Sequence, residues 1–159
     1  NDGIQNSIIY LSIYIVMNLG FFCCLFMMQR KDIFYENIED LSGLSKNHPV
    51  ISFCFLIFLF SLAGIPPLAG FFAKFYIFMS IIKAEMFILA IIGLLTTVVS
   101  AFYYLRIIKI IYFDEAGEKF EITTSLGLKF TTLISFLITL LYFVYPNYLI
   151  EVVSKIILI

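Results

Sequence analysis

Apolar residues fall into four long stretches, at about 7–28, 49–82, 86–112 and 128–148, and polar ones gather in two shorter segments between them. A membrane-spanning helix needs about 20 consecutive apolar residues. The pattern therefore predicts an all-α membrane protein of about four spans, forming a single membrane domain. The second stretch is too long for one straight span and is interrupted at 64–67, inside "FLFSLAGIPPLAGFFAKFYIF". Pro66 and Pro67 lack backbone N–H groups, and Pro67 pushes Pro66 out of the α region. With Gly64 beside them, they predict a discontinuous helix: one half to about Ala63, an irregular link, and a second half from about Leu68.

The polar segments at 29–48 and 113–127 mix charges of both signs with turn residues, as aqueous loops do. In the first, Ile33, Phe34, Ile38 and Leu41 recur at helical spacing and predict a short amphipathic helix on the membrane surface. Ser45 or Asn47 is expected to cap the next helix, with Pro49 in its first turn. Of the basic residues, Arg30, Lys31, Lys46, Arg106, Lys109, Lys119 and Lys129 fall on the side of these loops. Lys83 and Lys155 fall on the other side, and Lys74 lies within a span. Basic residues concentrate on the inner face of a membrane, so the loops should face the cytoplasm or matrix and both termini should face outward.

Composition agrees with a membrane protein. The chain is 62% hydrophobic and 13% charged, with a mean hydropathy of +1.05; soluble domains are about 45–50% apolar and about 25% charged. Abundant Phe, Tyr and Ile suit an AT-rich coding genome such as an organelle's. A net charge of −1 without a basic stripe gives no support for a nucleic-acid partner. Cys23, Cys24 and Cys54 lie in apolar runs without metal-ligand spacing and read as inert buried thiols. The start, "NDGIQNSIIY", has no basic region and does not read as a signal peptide.

Candidate chemistry centres on Lys74, seven residues after Pro67 and about 10 Å further along a helix. In hydrocarbon, unpaired backbone groups cost several kcal/mol, so a break such as 64–67 must be packed in protein or face a wet cavity. Broken helices recur in ion transporters for this reason. A lysine in mid-span costs at least about 2.5–3.5 kcal/mol on insertion scales. Desolvation disfavours the charged form of an amine, so a buried lysine can act as a proton carrier. The same residue also fits a purely structural role, snorkelling or pairing with a carboxylate of another subunit. A polar trail on the third span, Thr96, Thr97, Ser100, Tyr103 and Tyr104, has the spacing of one helix face. Its hydroxyls suit either a hydrated path or hydrogen bonds between spans. Arg106 and Lys109 are expected to anchor that span at the interface, and Asn18 in the first span to bond a neighbouring helix.

Three segments, "YLSIYIVMNLGFF", "GLSKNHPVISFCFLIFLFSLAGIPPLAGFFAKFYIF" and "LLTTVVSAFYYLRIIKIIYF", resemble the antiporter-like membrane subunits of respiratory NADH:ubiquinone oxidoreductase (complex I). The likeness is to the last four spans of its subunit 2, or N, family. The core "LAGIPPLAGF" is shared with multisubunit sodium/proton antiporters, and the following "AKFYIF" favours subunit 2. The resemblance implies inverted five-helix repeats, a hydrated axis across the membrane arm, and Lys74 as the broken-helix lysine that passes protons. It implies a location in the inner mitochondrial membrane, with both termini toward the intermembrane space. Other membrane-arm subunits and the lipid bilayer would be its neighbours. It implies no cofactor in this chain, since NADH, FMN, iron–sulfur clusters and ubiquinone belong to other subunits. A full subunit has up to fourteen spans, so a separate chain supplying its N-terminal part is expected, or else the chain is a fragment. Rival readings are a piece of a multisubunit sodium/proton antiporter and a purely structural remnant.

Overall fold

The computed structural model describes residues 2–29, 37–117, 121–122 and 125–157. Seven α-helices lie among them: α1 (Asp2–Met27), α2 (Leu44–Asn47), α3 (Pro49–Ala63), α4 (Ala69–Lys83), α5 (Phe87–Phe113), α6 (Leu126–Leu141) and α7 (Asn147–Ile157). A two-residue antiparallel pairing of Met28–Gln29 with Glu121–Ile122 ties the two loops together.

Helices α3 and α4 make one interrupted span running antiparallel to α1, as their contacts along α1 show. Phe55 packs edge-on against Phe21, Phe58 crowds Gly20 and Ser61 bonds Met17. Beyond the break, the Asn6 side-chain amide donates to the Tyr76 carbonyl and the Ser80 hydroxyl, and Lys83 pairs with Asp2. Each half has 15 residues, about 22 Å at 1.5 Å per residue, so neither alone covers a hydrocarbon core of about 30 Å.

Two apolar cores flank the break. One gathers Cys24, Phe55, Phe58, Leu59 and Ile111 toward the loops. The other gathers Ile9, Ile13, Met17, Ala69 and Ala73 toward the termini. Lipid removes the hydrophobic drive between helices, so close van der Waals packing carries these contacts. Helix α6 returns along α1 from the loop end, and α7 reaches back to α1, where Gln5 donates to the Ile150 carbonyl. Both described termini thus lie at one end of the bundle and the loops at the other.

Several sequence expectations change here. Neither Ser45 nor Asn47 caps α3: both belong to α2, His48 stands at the cap position, and Asn47 donates instead to the Gly117 carbonyl at 3.2 Å. Residues Ile38–Leu41 form a 3-10 turn, while Ile33 and Phe34, with Arg30, Lys31 and Lys119, lie outside the described residues. The last span is shorter than 128–148 suggests. It gives way to a 3-10 turn at Tyr142 and ends at Val144, because Pro146 holds Tyr145 out of the helical region. Asn18 bonds the Tyr14 carbonyl of its own helix at 2.8 Å, not a neighbouring helix.

Candidate functional site: the broken helix and Lys74

The end of α3 is a complete piece of hydrogen-bond chemistry. A helix leaves its last four carbonyls without partners inside the helix. Gly64 turns the chain with φ +90°, the left-handed conformation that glycine adopts without strain. Its N–H then donates to the Ser61 carbonyl at 2.9 Å, and the Ile65 N–H donates to the Phe60 carbonyl at 3.0 Å. These two bonds are the pattern of a Schellman cap. They leave the carbonyls of Leu62 and Ala63, and the Lys74 ammonium takes both, at 2.8 Å and 3.2 Å. The cation also sits at the negative end of the α3 dipole, the favourable end for it.

The start of α4 is built with equal economy. Ser61, fully buried, accepts the Gly70 N–H at 2.9 Å and donates to the Met17 sulfur. Backbone meets backbone at this point: a Cβ on Gly70 would stand 1.9 Å from the Ser61 carbonyl oxygen. Only glycine fits. The peptide between Pro66 and Pro67 is cis, and both prolines stand exposed, uncovered by this chain.

Lys74 lines two cavities of opposite character. The smaller, about 190 Å³, lies among α1, α4 and α5, with Tyr10, Tyr14, Thr96, Thr97, Ser100 and Tyr104 on its walls. The larger, about 390 Å³, opens between α4 and α5 and is apolar, with Phe75, Phe78, Ile91 and Leu94 around it. Among the described residues, no carboxylate lines either one. Thr97 joins Lys74 on both walls.

The structure thus brings Lys74, Thr96, Thr97, Ser100 and Tyr104 to one space. Tyr103 is not there; it lies on another face of α5, 57% exposed. The small hydroxyls donate to carbonyls of their own helix: Thr96 and Thr97 to Gly93, and Ser100 to Thr96. Their lone pairs are what they offer the cavity. Sequence reasoning missed Tyr10 and Tyr14, whose rings stack 5.8 Å apart, and Ser61. Phenols four residues apart on an apolar helix were a readable signal for a polar face; Ser61 had none, since its role rests on where α4 begins.

Comparison with known proteins follows the same lines. A subunit N of NADH-quinone oxidoreductase from Pelagibacter ubique is 60% identical over 98% of this chain and 33% of its own length. One from Parvibaculum lavamentivorans is 54% identical over 91% of this chain and 30% of its own. The chain thus spans about a third of the length of the curated relatives it matches. Respiratory complex I from Thermus thermophilus, solved with bound aureothin, contains a chain of the same fold. Its TM-score is 0.77 at 24% identity, covering 92% of this chain and 34% of that one. Residues 1–100 match the model of the NADH:quinone oxidoreductase/Mrp antiporter transmembrane family. With a broken span and a lysine at the break, the chain belongs to that family.

Proposed function

We propose that this chain is a proton-translocating component of the membrane arm of an NADH–quinone oxidoreductase, with Lys74 as its proton carrier. The observation that carries this reading is the position of Lys74. Its ammonium is anchored on the open end of α3 and borders a hydroxyl-lined cavity within the bundle. A fixed amine next to a wettable space can give a proton to water and take one back. Gly64, Pro66 and Pro67 hold the break open, and Thr96, Thr97, Ser100 and Tyr104 line the path. The chain takes part in an enzyme of the NADH-dehydrogenase type without a redox centre of its own. NADH, flavin, iron–sulfur clusters and quinone are handled by other subunits.

Its partners in this reading are other membrane-arm subunits, including a chain that supplies the N-terminal part of the subunit. The membrane is an energy-coupling one with both termini on its outer side. Sequence composition favours the inner mitochondrial membrane, and the bacterial sources of the relatives favour a bacterial cytoplasmic membrane. A second functional reading, a piece of a multisubunit sodium/proton antiporter, draws on the family description, which names both. The identity of 60% to an oxidoreductase subunit favours the first.

Lys74→Arg tests the carrier role. Arginine keeps the charge and the donors but does not release a proton in proteins. NADH-driven proton uptake into vesicles holding the assembled complex should fall at least tenfold, with the complex still assembled. Uptake at the native rate would overturn the assignment. Dependence of the transport on sodium and not on NADH would favour the antiporter.

A further inference from the structure

Lys74 has two jobs at odds with each other at first sight: capping α3 and giving up a proton. Donor arithmetic removes the conflict. An ammonium has three N–H donors. Two go to the carbonyls of Leu62 and Ala63, at 2.8 Å and 3.2 Å. One is left for the cavities that Lys74 lines. A neutral amine has two N–H donors and a lone pair, so it still satisfies both carbonyls after the third proton has left.

We infer that only the third proton of Lys74 is exchanged, and that the Leu62 and Ala63 carbonyls hold the amine in place in both protonation states, making the break a fixed frame and not a gate. This rests on the carrier role proposed above and adds positioning groups to it. The transfer is simple. The third N–H bond breaks toward a water or hydroxyl oxygen in the smaller cavity, the electron pair stays on nitrogen, and a later proton returns to that lone pair. The titratable groups facing Lys74 there are the phenols of Tyr10, Tyr14 and Tyr104.

The neutral bonds are weaker than the charge-assisted ones. The alternative is worse, because Leu62 and Ala63 are buried and leaving their carbonyls unpaired exacts a desolvation penalty for each. The other bonds of the frame do not involve the exchanging proton. Gly64 and Ile65 close their own cap, and Ser61 holds the first turn of α4. Loss of a single proton therefore has little to pull apart.

The test reads the link between α3 and α4 directly. Ile65→Cys places a thiol in the link, half-buried at present, and its maleimide reaction rate is followed in vesicles holding the complete complex. The rate is measured at rest and during NADH-driven turnover, in three backgrounds: Lys74 unchanged, Lys74→Arg and Lys74→Met. Arginine caps but cannot cycle, and methionine does neither. The expected result is one slow rate, within about twofold, for the unchanged and arginine backgrounds at rest and in turnover. The methionine background should react at least tenfold faster. A rate that rises during turnover with Lys74 present, but not with arginine, would show that the break opens as the proton leaves, and would overturn the inference. So would a methionine background as slow as the others, since Lys74 would then cap nothing. If the methionine variant fails to assemble, the comparison of lysine with arginine in turnover still decides. Failure of the carrier role appears separately, as native proton uptake in Lys74→Arg.

Discussion

Two walls meet at Lys74, and they are built in opposite ways. The wall of α1, α3 and α4 is closed on itself: both half-helix ends are capped, Ser61 is fully buried, and Gly70 presses on the α3 backbone. The wall of α5 is open. Its buried residues, Ile108, Ile110 and Ile111, all lie in its last two turns. Phe87, Ile88, Leu94, Leu95, Val98 and Phe102 are exposed along the rest. One wall is tied together within this chain, because the last carbonyls of α3 and the Gly70 N–H at the start of α4 find their partners in it. The other brings hydroxyls to the cavity but relies on lipid or protein neighbours for its position. The lysine belongs to the closed wall. The frame that fixes the amine is thus separate from the surface that wets it, and substitutions should sort by wall.

The strongest challenge to the closed wall is Gly70→Ala. The added methyl would stand 1.9 Å from the Ser61 carbonyl oxygen, and the obstacle is backbone, so no side-chain rotation relieves it. Overpacking typically costs about 1–3 kcal/mol, and here we expect about 3 kcal/mol or more. The predicted outcome is loss of the chain from the assembled complex, read by its recovery after purification and by thermal melting of what remains. Normal assembly and melting would mean that α3 and α4 do not approach as described.

Ser61→Ala should do less. It removes the acceptor of the Gly70 N–H and the contact with the Met17 sulfur without adding bulk. A buried donor left unpaired costs about 1–3 kcal/mol. The expected result is an assembled complex that melts a few degrees lower, while Ser61→Thr, which keeps the hydroxyl, loses part of the effect through its extra methyl. A melting point unchanged in Ser61→Ala would show that water replaces the serine, and that the closed wall is wetter than its contacts imply.

The same division explains what the sequence disclosed. The broken helix was legible because proline chemistry is local: Pro66 and Pro67 forbid a continuous helix whatever surrounds them. Lys74 was legible because a charge in an apolar run has few explanations. Its partners were not. The carbonyls of Leu62 and Ala63 look like any others in a sequence, and they become acceptors only because Gly64 ends α3 one residue later. The prolines drew the attention, yet it is Gly64 that makes the cap. Helix α7 escaped for another reason. Its apolar positions Leu149, Ile150 and Val153 repeat with helical spacing, but the stretch is too short and too polar to register as a span. On α5, periodicity placed the polar trail on a face without fixing its rotation about the axis, so Tyr103 and Tyr104 stayed equivalent until packing separated them.

That last ambiguity gives the smallest and sharpest prediction, on the open wall. Tyr104 lines the cavity that Lys74 borders, and Tyr103 is 57% exposed on another face of the same helix. Neither substitution to phenylalanine changes the size of the ring, so neither should disturb assembly. If hydroxyls on the wall help order the water that receives a proton from Lys74, Tyr104→Phe should slow NADH-driven proton uptake by about threefold to tenfold, equivalent to about 0.7–1.4 kcal/mol in a barrier. Tyr103→Phe should stay within the scatter of the native rate. Equal effects would mean that α5 sits in the complete membrane at a different rotation, which the open wall permits, since no residue of α5 before Ile108 is buried. Equal absence of effect, with Lys74→Arg still inactive, would move the path off α5 and onto the stacked Tyr10 and Tyr14 of α1, which also line the cavity.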